Sequence, residues 1–386
     1  MLRTNPTGAR NRSAGTNSRA SKNSGSADTA TSTVISQAVL KIISSARSSG
    51  RLNLSNQELY TLPVAMFDNS IQPTSGNWWE EVDLTKLIIA DNNLETIDER
   101  VTEFGALTLI DMHNNKLSAL PDLSSLQQLT VLNLSSNALT NLPDSLFSIP
   151  LAELRMTNNY LSSLPASIAS LAPSLVVLDI SDNQLQSVPP SLLTFPRLTT
   201  LSLKSNKLST FTFDSLPSLT HLDISHNNIA SLTGDPSKMP KLQQLNVSQN
   251  SLSALFSLSN IVPVARIISL PSLITLDVRI NRITTLSVIS TTKITISTPV
   301  LKDLLVQGNQ LKTLEGSGIL ESSVKSIETL DFRDNGLEAI PAPVVEMELL
   351  KRLLVEGNPI RVPRRAIIEK GTAAIIAWMK DRIPIE

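Results

Sequence analysis

A curved α/β solenoid, with about thirteen coils stacked along a concave parallel β-sheet, is the fold this sequence predicts. Three observations predict it. One eleven-residue pattern recurs along most of the chain. An asparagine returns at the ninth place of nearly every copy, mostly at intervals of 21 to 24 residues. The apolar content, 41% of residues with only 3% aromatic, is aliphatic, as thin stacked layers require.

The pattern is clearest in "LTVLNLSSNAL", residues 129–139. Written L-x-x-L-x-L-x-x-N-x-L, it is the core of a leucine-rich repeat. It returns in copies that begin at Leu198, Leu219, Leu242, Leu273, Leu301, Ile327 and Leu350. Asparagine holds the ninth place from Asn92 and Asn115 through Asn137, Asn159, Asn183 and Asn206 to Asn335 and Asn358. A first unit from Leu52 carries Gln57 there instead.

Each part of the coil has a physical reason. In L-x-L, buried leucines alternate with exposed residues, the period of a strand. Successive coils then stack these strands into a parallel sheet, roughly 4.8 Å apart. Where the chain turns off the strand, the asparagine amide offers donors and an acceptor to backbone groups of its own and adjoining coils. A leucine there would leave them unpaired. The returning arm often contains Leu-Pro, as at Leu62-Pro63, Leu142-Pro143 and Leu164-Pro165. Proline fixes φ and lacks a donor, so these arms are expected to be extended or briefly helical.

A coil cannot bury its apolar face alone, so the two ends need closing. Residues 33–50 place Ile35, Val39, Ile42 and Ala46 at helical spacing and predict an N-terminal cap. Residues 363–386 place Ile368, Ile375, Trp378 and Met379 on a helix broken at Gly371, a C-terminal cap. The repeats between, 51–362, are interrupted twice, by an insertion over 68–83 and by an irregular stretch over 253–305. Such insertions are expected to emerge as loops. The first 32 residues are rich in Ser and Arg, too polar to fold alone. They are expected to be a disordered tail, with an organellar transit peptide as the other reading.

Composition excludes several functions. With no cysteine, the chain has no disulfide, thiolate nucleophile or Cys-based zinc site. A net charge of −1 does not mark a phosphate-backbone binder, so no nucleic acid is expected. No apolar run reaches the roughly 18 residues of a membrane span. His221, Asp223 and Ser225 share one strand face. Residues i and i+2 stand roughly 6.5 Å apart there, beyond catalytic hydrogen-bond reach. Neither a catalytic centre nor a cofactor is expected, and the chain is not read as an enzyme.

Trp78 and Trp79 stand side by side in the first insertion, in a chain with three tryptophans. One can pin the insertion to the solenoid while the other meets solvent, or the pair can contact a partner. The segment "WWEEVDLTKLIIADNN" after the first coil, with "GNPIRVPRRAIIEKGTAAIIAWMKDRIP" at the end, closely resembles the leucine-rich repeat-containing protein 40 family. The resemblance covers about residues 36–386, although the 253–305 stretch departs from that family's regularity. It implies a non-enzymatic, intracellular protein of the Ras-suppressor-like class.

The concave face is the default binding surface of such a sheet. The x of L-x-L gives an acid-rich row with Asp111, Arg155, Asp179, Asp223, Asp277 and Asp331. The row two residues on turns basic toward the C-terminus, with Lys204, Arg279 and Arg333, and His221 lies on the same face. A solvated sheet needs polar residues in any case; the sharper reading is a docking strip of complementary charge. The function expected is a protein-interaction scaffold or adaptor in the cytoplasm or nucleus, acting in signal transduction. An organelle-targeted regulatory subunit and a repeat sensor of an enzyme are the alternatives.

Overall fold

The computed structural model describes residues 36–68, 82–256, 267–286, 295–313 and 318–382. The initial tail, with Trp78 and Trp79 and most of their insertion, lies outside the described residues. The residues from Gln37 onward form one unit.

Among the described residues, thirteen strands of three residues form one parallel sheet, each hydrogen-bonded to the strand of the next coil. They run from Arg51–Asn53 and Lys86–Ile88 to Thr329–Asp331 and Arg352–Leu354. Pairing is in register, so the central leucines stack in line, Leu132 on Leu154, Leu178 and Leu201. Each of these four is fully buried. A second buried row, Leu134, Met156, Ile180 and Leu203, follows two residues later. A one-residue slip would turn both rows to solvent, so the L-x-L spacing alone sets this register.

The asparagines form a ladder inside the turn. Asn206 is typical: its Nδ2 donates to Leu203 O of its own coil at 3.0 Å and to Ile180 O of the coil before at 2.9 Å. Its Oδ1 accepts from the buried Leu185 N–H at 2.9 Å. The same three bonds recur at Asn137, Asn183 and Asn309. The residue before each asparagine is left-handed, with φ near +54° at Asp91, Asn114 and Ile280 and +69° at Gly308. Asn, Asp, Ser and Gly suit that conformation; Ile280, β-branched and 55% exposed, does not.

The arms behave as proline demands. Short 3-10 helices follow Pro63, Pro143, Pro165, Pro189 and Pro341. Four further arms are extended and pair as strands, two of them within the 253–305 stretch where loops were expected. Thr210–Phe213 and Ser231–Gly234 pair as parallel strands behind the main sheet, where Phe211, Phe213 and Phe256 pack edge to face at 5.6 Å. Within the 253–305 stretch, Ile267–Ser269 and Thr295–Ser297 do the same. β-Branched alternation in these arms favours strands, and the adjacent coil supplies a pairing partner.

The N-terminal helix, Gln37–Ser49, buries Val39, Ile43 and Ala46. Ile42 falls at its rim, because the inward stripe follows i, i+4 and i+7. Gly50 ends this helix at φ +66°, and its N–H donates to Ala46 O at 2.8 Å. A Cβ there would lie 2.9 Å from Asp83 O, so both the turn and the close approach require glycine. At the other end, the helices Arg365–Ile368 and Thr372–Lys380 are separated at Gly371, φ +84°. Ile375 and Met379 cover the last strand, and the Thr372 hydroxyl accepts from Leu353 N–H at 2.9 Å.

Candidate interaction face

The face of the main sheet opposite the buried leucines carries the rows expected to bind a partner. The first row has a second role that the sequence reading missed. The Oδ1 of Asp111 accepts from the N–H of His113, two residues on, at 3.2 Å. Asp179 accepts from Ser181 at 3.0 Å, Asp223 from Ser225 at 2.9 Å, Asp277 from Arg279 at 3.1 Å and Asp331 from Arg333 at 3.3 Å. Asn133 and Asn246 do the same with Ser135 and Ser248. These are Asx turns that begin the bend off each strand. The signal was present as Asp or Asn recurring at one place in the coil.

Exposure differs along the row. Asp277 and Asp331 are buried, 6% and 3% exposed, while Asp111, Asp179 and Asp223 are half-buried. Arg155 is exposed, and its Nε donates to Glu153 Oε1 at 2.5 Å. Lys204 is exposed.

Two guanidinium forks dominate the C-terminal half. Arg279 reaches back over Asp277, with Nε 2.9 Å from Oδ1 and Nη2 2.6 Å from Oδ2. Arg333 holds Asp331 in the same way at 2.8 and 2.6 Å. These side-chain bonds raise both arginine pKa values above their ordinary value. Bidentate pairing fixes each planar group, so the charge is presented in one orientation. Gln307, on the coil between, accepts weakly from Arg333 at 3.4 Å and donates to Asp334 at 3.0 Å.

Bonds also cross between coils nearer the centre. Ser181 Oγ lies 2.6 Å from Ser202 Oγ, and Asn246 Nδ2 donates to Asp223 Oδ2 at 3.2 Å. His221 Nδ1 lies 2.8 Å from the Thr220 hydroxyl, whereas the Ser225 hydroxyl donates to Asp223 at 2.6 Å. Histidine and serine therefore engage different partners, and no relay connects them. Among the described residues no group of three or more His, Asp or Glu is arranged to hold a metal. No described helix is long and apolar enough to cross a membrane.

Comparison with known proteins agrees with this architecture. A family model described as leucine rich repeat matches residues 83–139 and 173–229, and one described as two copies of leucine rich repeats matches 217–260. A leucine-rich repeat protein of Leptospira interrogans is similar in structure, with a TM-score of 0.55 and 22% identity over 86% of this chain and 95% of that one. The leucine-rich repeat domain of APL1B gives 0.54 and 24% over 78% and 87%. The Arabidopsis receptor kinase HAESA, solved with the peptide hormone IDA and the co-receptor SERK1, gives 0.53 and 21% over 80% of this chain but 54% of that one. At such identities the likeness concerns the fold. The pattern, the asparagine ladder, the thirteen-stranded parallel sheet and these matches together give the chain a leucine-rich repeat fold.

Proposed function

We propose that this chain is an intracellular scaffold or adaptor that binds a protein partner on the open face of its main sheet. The observation that carries the reading is the preorganised polar surface there. Thirteen strands are held in register, and guanidinium groups at Arg279 and Arg333 are each fixed by a buried aspartate. Binding to a surface already ordered loses little side-chain entropy, which favours a specific partner over non-specific contact. HAESA, which shares the fold, was solved holding a peptide hormone and a co-receptor. The resemblance to the leucine-rich repeat-containing protein 40 family supports a cytoplasmic or nuclear setting and a part in signalling. Trp78 and Trp79 are a second contact in this reading.

The test is cross-linking and mass spectrometry with purified protein in native lysate. The acidic row is unsuitable for reversal, because those side chains hold the turns. A face variant, Arg155→Glu with Lys204→Glu, is compared with a variant on the returning arms, Ser170→Lys with Thr194→Lys. A partner lost with the first and kept with the second supports the reading. Partners kept by both, or lost by both, would place the working surface elsewhere. Truncating a central contact of this kind costs about 1–2 kcal/mol. The basic composition of residues 1–32 favours a second reading, an organelle-targeted subunit, tested by whether the mature N-terminus lacks them.

A further inference from the structure

The net charge of −1 conceals a strong asymmetry. Residues 361–382 carry Arg361, Arg364, Arg365, Lys370, Lys380 and Arg382 against only Glu369 and Asp381. All six bases are exposed. Among the described residues only Arg365 has a carboxylate partner, Glu369 at 2.9 Å. Chain-wide, acids outnumber bases by 34 to 33, so these bases stand against a mostly acidic remainder.

Apolar side chains are interleaved with these bases. Val362 is 56% exposed, Leu349 in the loop before the last strand is 52% exposed, and Ile367, Ile368, Ile376 and Trp378 are half-buried. The helix Thr372–Lys380 has the sequence TAAIIAWMK, apolar on every side, yet only Ile375 and Met379 are buried. A helix apolar all round is ordinarily covered on all sides. Closing the last coil accounts for only one of its faces. Trp378 sits under the Arg382 guanidinium, 4.5 Å from ring to carbon. That pairing of an aromatic body with a cationic head suits the boundary between acyl chains and headgroups.

We propose that this C-terminal cap is a peripheral docking surface for an anionic lipid bilayer. Exposed bases would meet the negative surface potential, while Val362 and its apolar neighbours enter the headgroup boundary. The bilayer is favoured over an acidic protein because the apolar groups are scattered among the charges on the outer side of a cap. An acidic protein would more naturally use a charged pocket or groove, and the six bases follow the cap helices and their approach instead. The proposal is independent of the open sheet face, which lies on other residues, so either reading can fail alone.

The experiment is co-sedimentation of the full chain with vesicles of phosphatidylcholine alone, or of phosphatidylcholine with phosphatidylserine. Binding is expected only to the second, weakening as salt is raised. Each Lys or Arg near such a surface contributes about fivefold in affinity, so Arg361→Gln with Arg364→Gln should lower binding about 25-fold. Val362→Ser should lower it further, and Lys116→Gln with Lys207→Gln should leave it unchanged. All three cap positions are exposed, and an unchanged thermal unfolding midpoint keeps folding out of the comparison. Three results would overturn the proposal. One is equal or absent binding to both vesicles. Another is loss with Arg10→Gln, Arg12→Gln and Arg19→Gln but not with the cap variants, which would assign the effect to the N-terminal tail. The third is equally tight binding of soluble polyglutamate, insensitive to Val362→Ser, which would mark an acidic protein site.

Discussion

Asn206→Ala isolates what one rung of the asparagine ladder contributes. Asn206 is 7% exposed and lies mid-array. Its loss does not orphan every group it touches. Ile180 O keeps a bond from Asn183 at 3.2 Å, and Leu203 O keeps one from Asn227 at 3.0 Å. Leu185 N–H loses its acceptor in a buried site. A buried unsatisfied donor costs about 1–3 kcal/mol, and each weakened carbonyl bond adds roughly 0.5 kcal/mol, so about 3 kcal/mol is expected. Asn206→Asp should be worse at neutral pH. It keeps an acceptor for Leu185 but sets an ionised carboxylate against three carbonyls, those of Ile180, Leu203 and Lys204. Burial and that repulsion raise the introduced group's folded pKa, so this variant should regain stability as pH falls through that pKa and the group is protonated. Urea denaturation gives the change in stability, and hydrogen exchange at the Leu185 amide gives its location. An alanine variant within about 0.5 kcal/mol of wild type, or unchanged Leu185 protection, would refute the claim that the ladder serves this N–H. So would an aspartate variant more stable than the alanine variant at neutral pH.

Other positions give smaller, separable effects. Ile280→Asn relieves a left-handed β-branched residue on the surface and should stabilise the chain by about 1 kcal/mol, read from the urea midpoint. Thr372→Val removes the acceptor of Leu353 N–H and should cost about 1 kcal/mol, with faster exchange at that amide. Arg333→Gln leaves the buried Asp331 without its guanidinium and should cost about 2 kcal/mol by thermal unfolding. Glu328, bonded by Lys351 at 2.5 Å and by Lys302, is held below its ordinary value of 4.5. Its contribution to stability is therefore present above that unfolded value and lost as pH falls through the folded one. Lys351→Met with Lys302→Met should move its NMR titration upward.

The coil was legible because its requirements are local or lie one repeat away. L-x-L specifies which side chains enter the core, and an asparagine nine residues into each unit can satisfy the carbonyls and the amide of two adjoining turns. Those statements need only spacing and hydrogen-bond chemistry, so they predicted the parallel sheet and the arms after proline. The same reasoning placed Asp111, Asp179, Asp223, Asp277 and Asp331 on one face.

Tertiary structure decided what those aspartates do. Whether a carboxylate on that face points to solvent or bends back to the N–H two residues on depends on the chain path after the strand. The burial of Asp277 and Asp331 beneath Arg279 and Arg333 depends on side-chain packing between coils. The strands at Thr210–Phe213 and Ile267–Ser269 likewise form because a matching arm lies on the adjacent coil, a partner distant in sequence. At the C-terminal cap, apolar spacing predicted a helix broken at Gly371. Only packing showed that Ile375 and Met379 face inward, while the bases around Val362 and Trp378 remain on the surface. Periodicity determines which residues share a face; the path of neighbouring coils determines whether that face is covered.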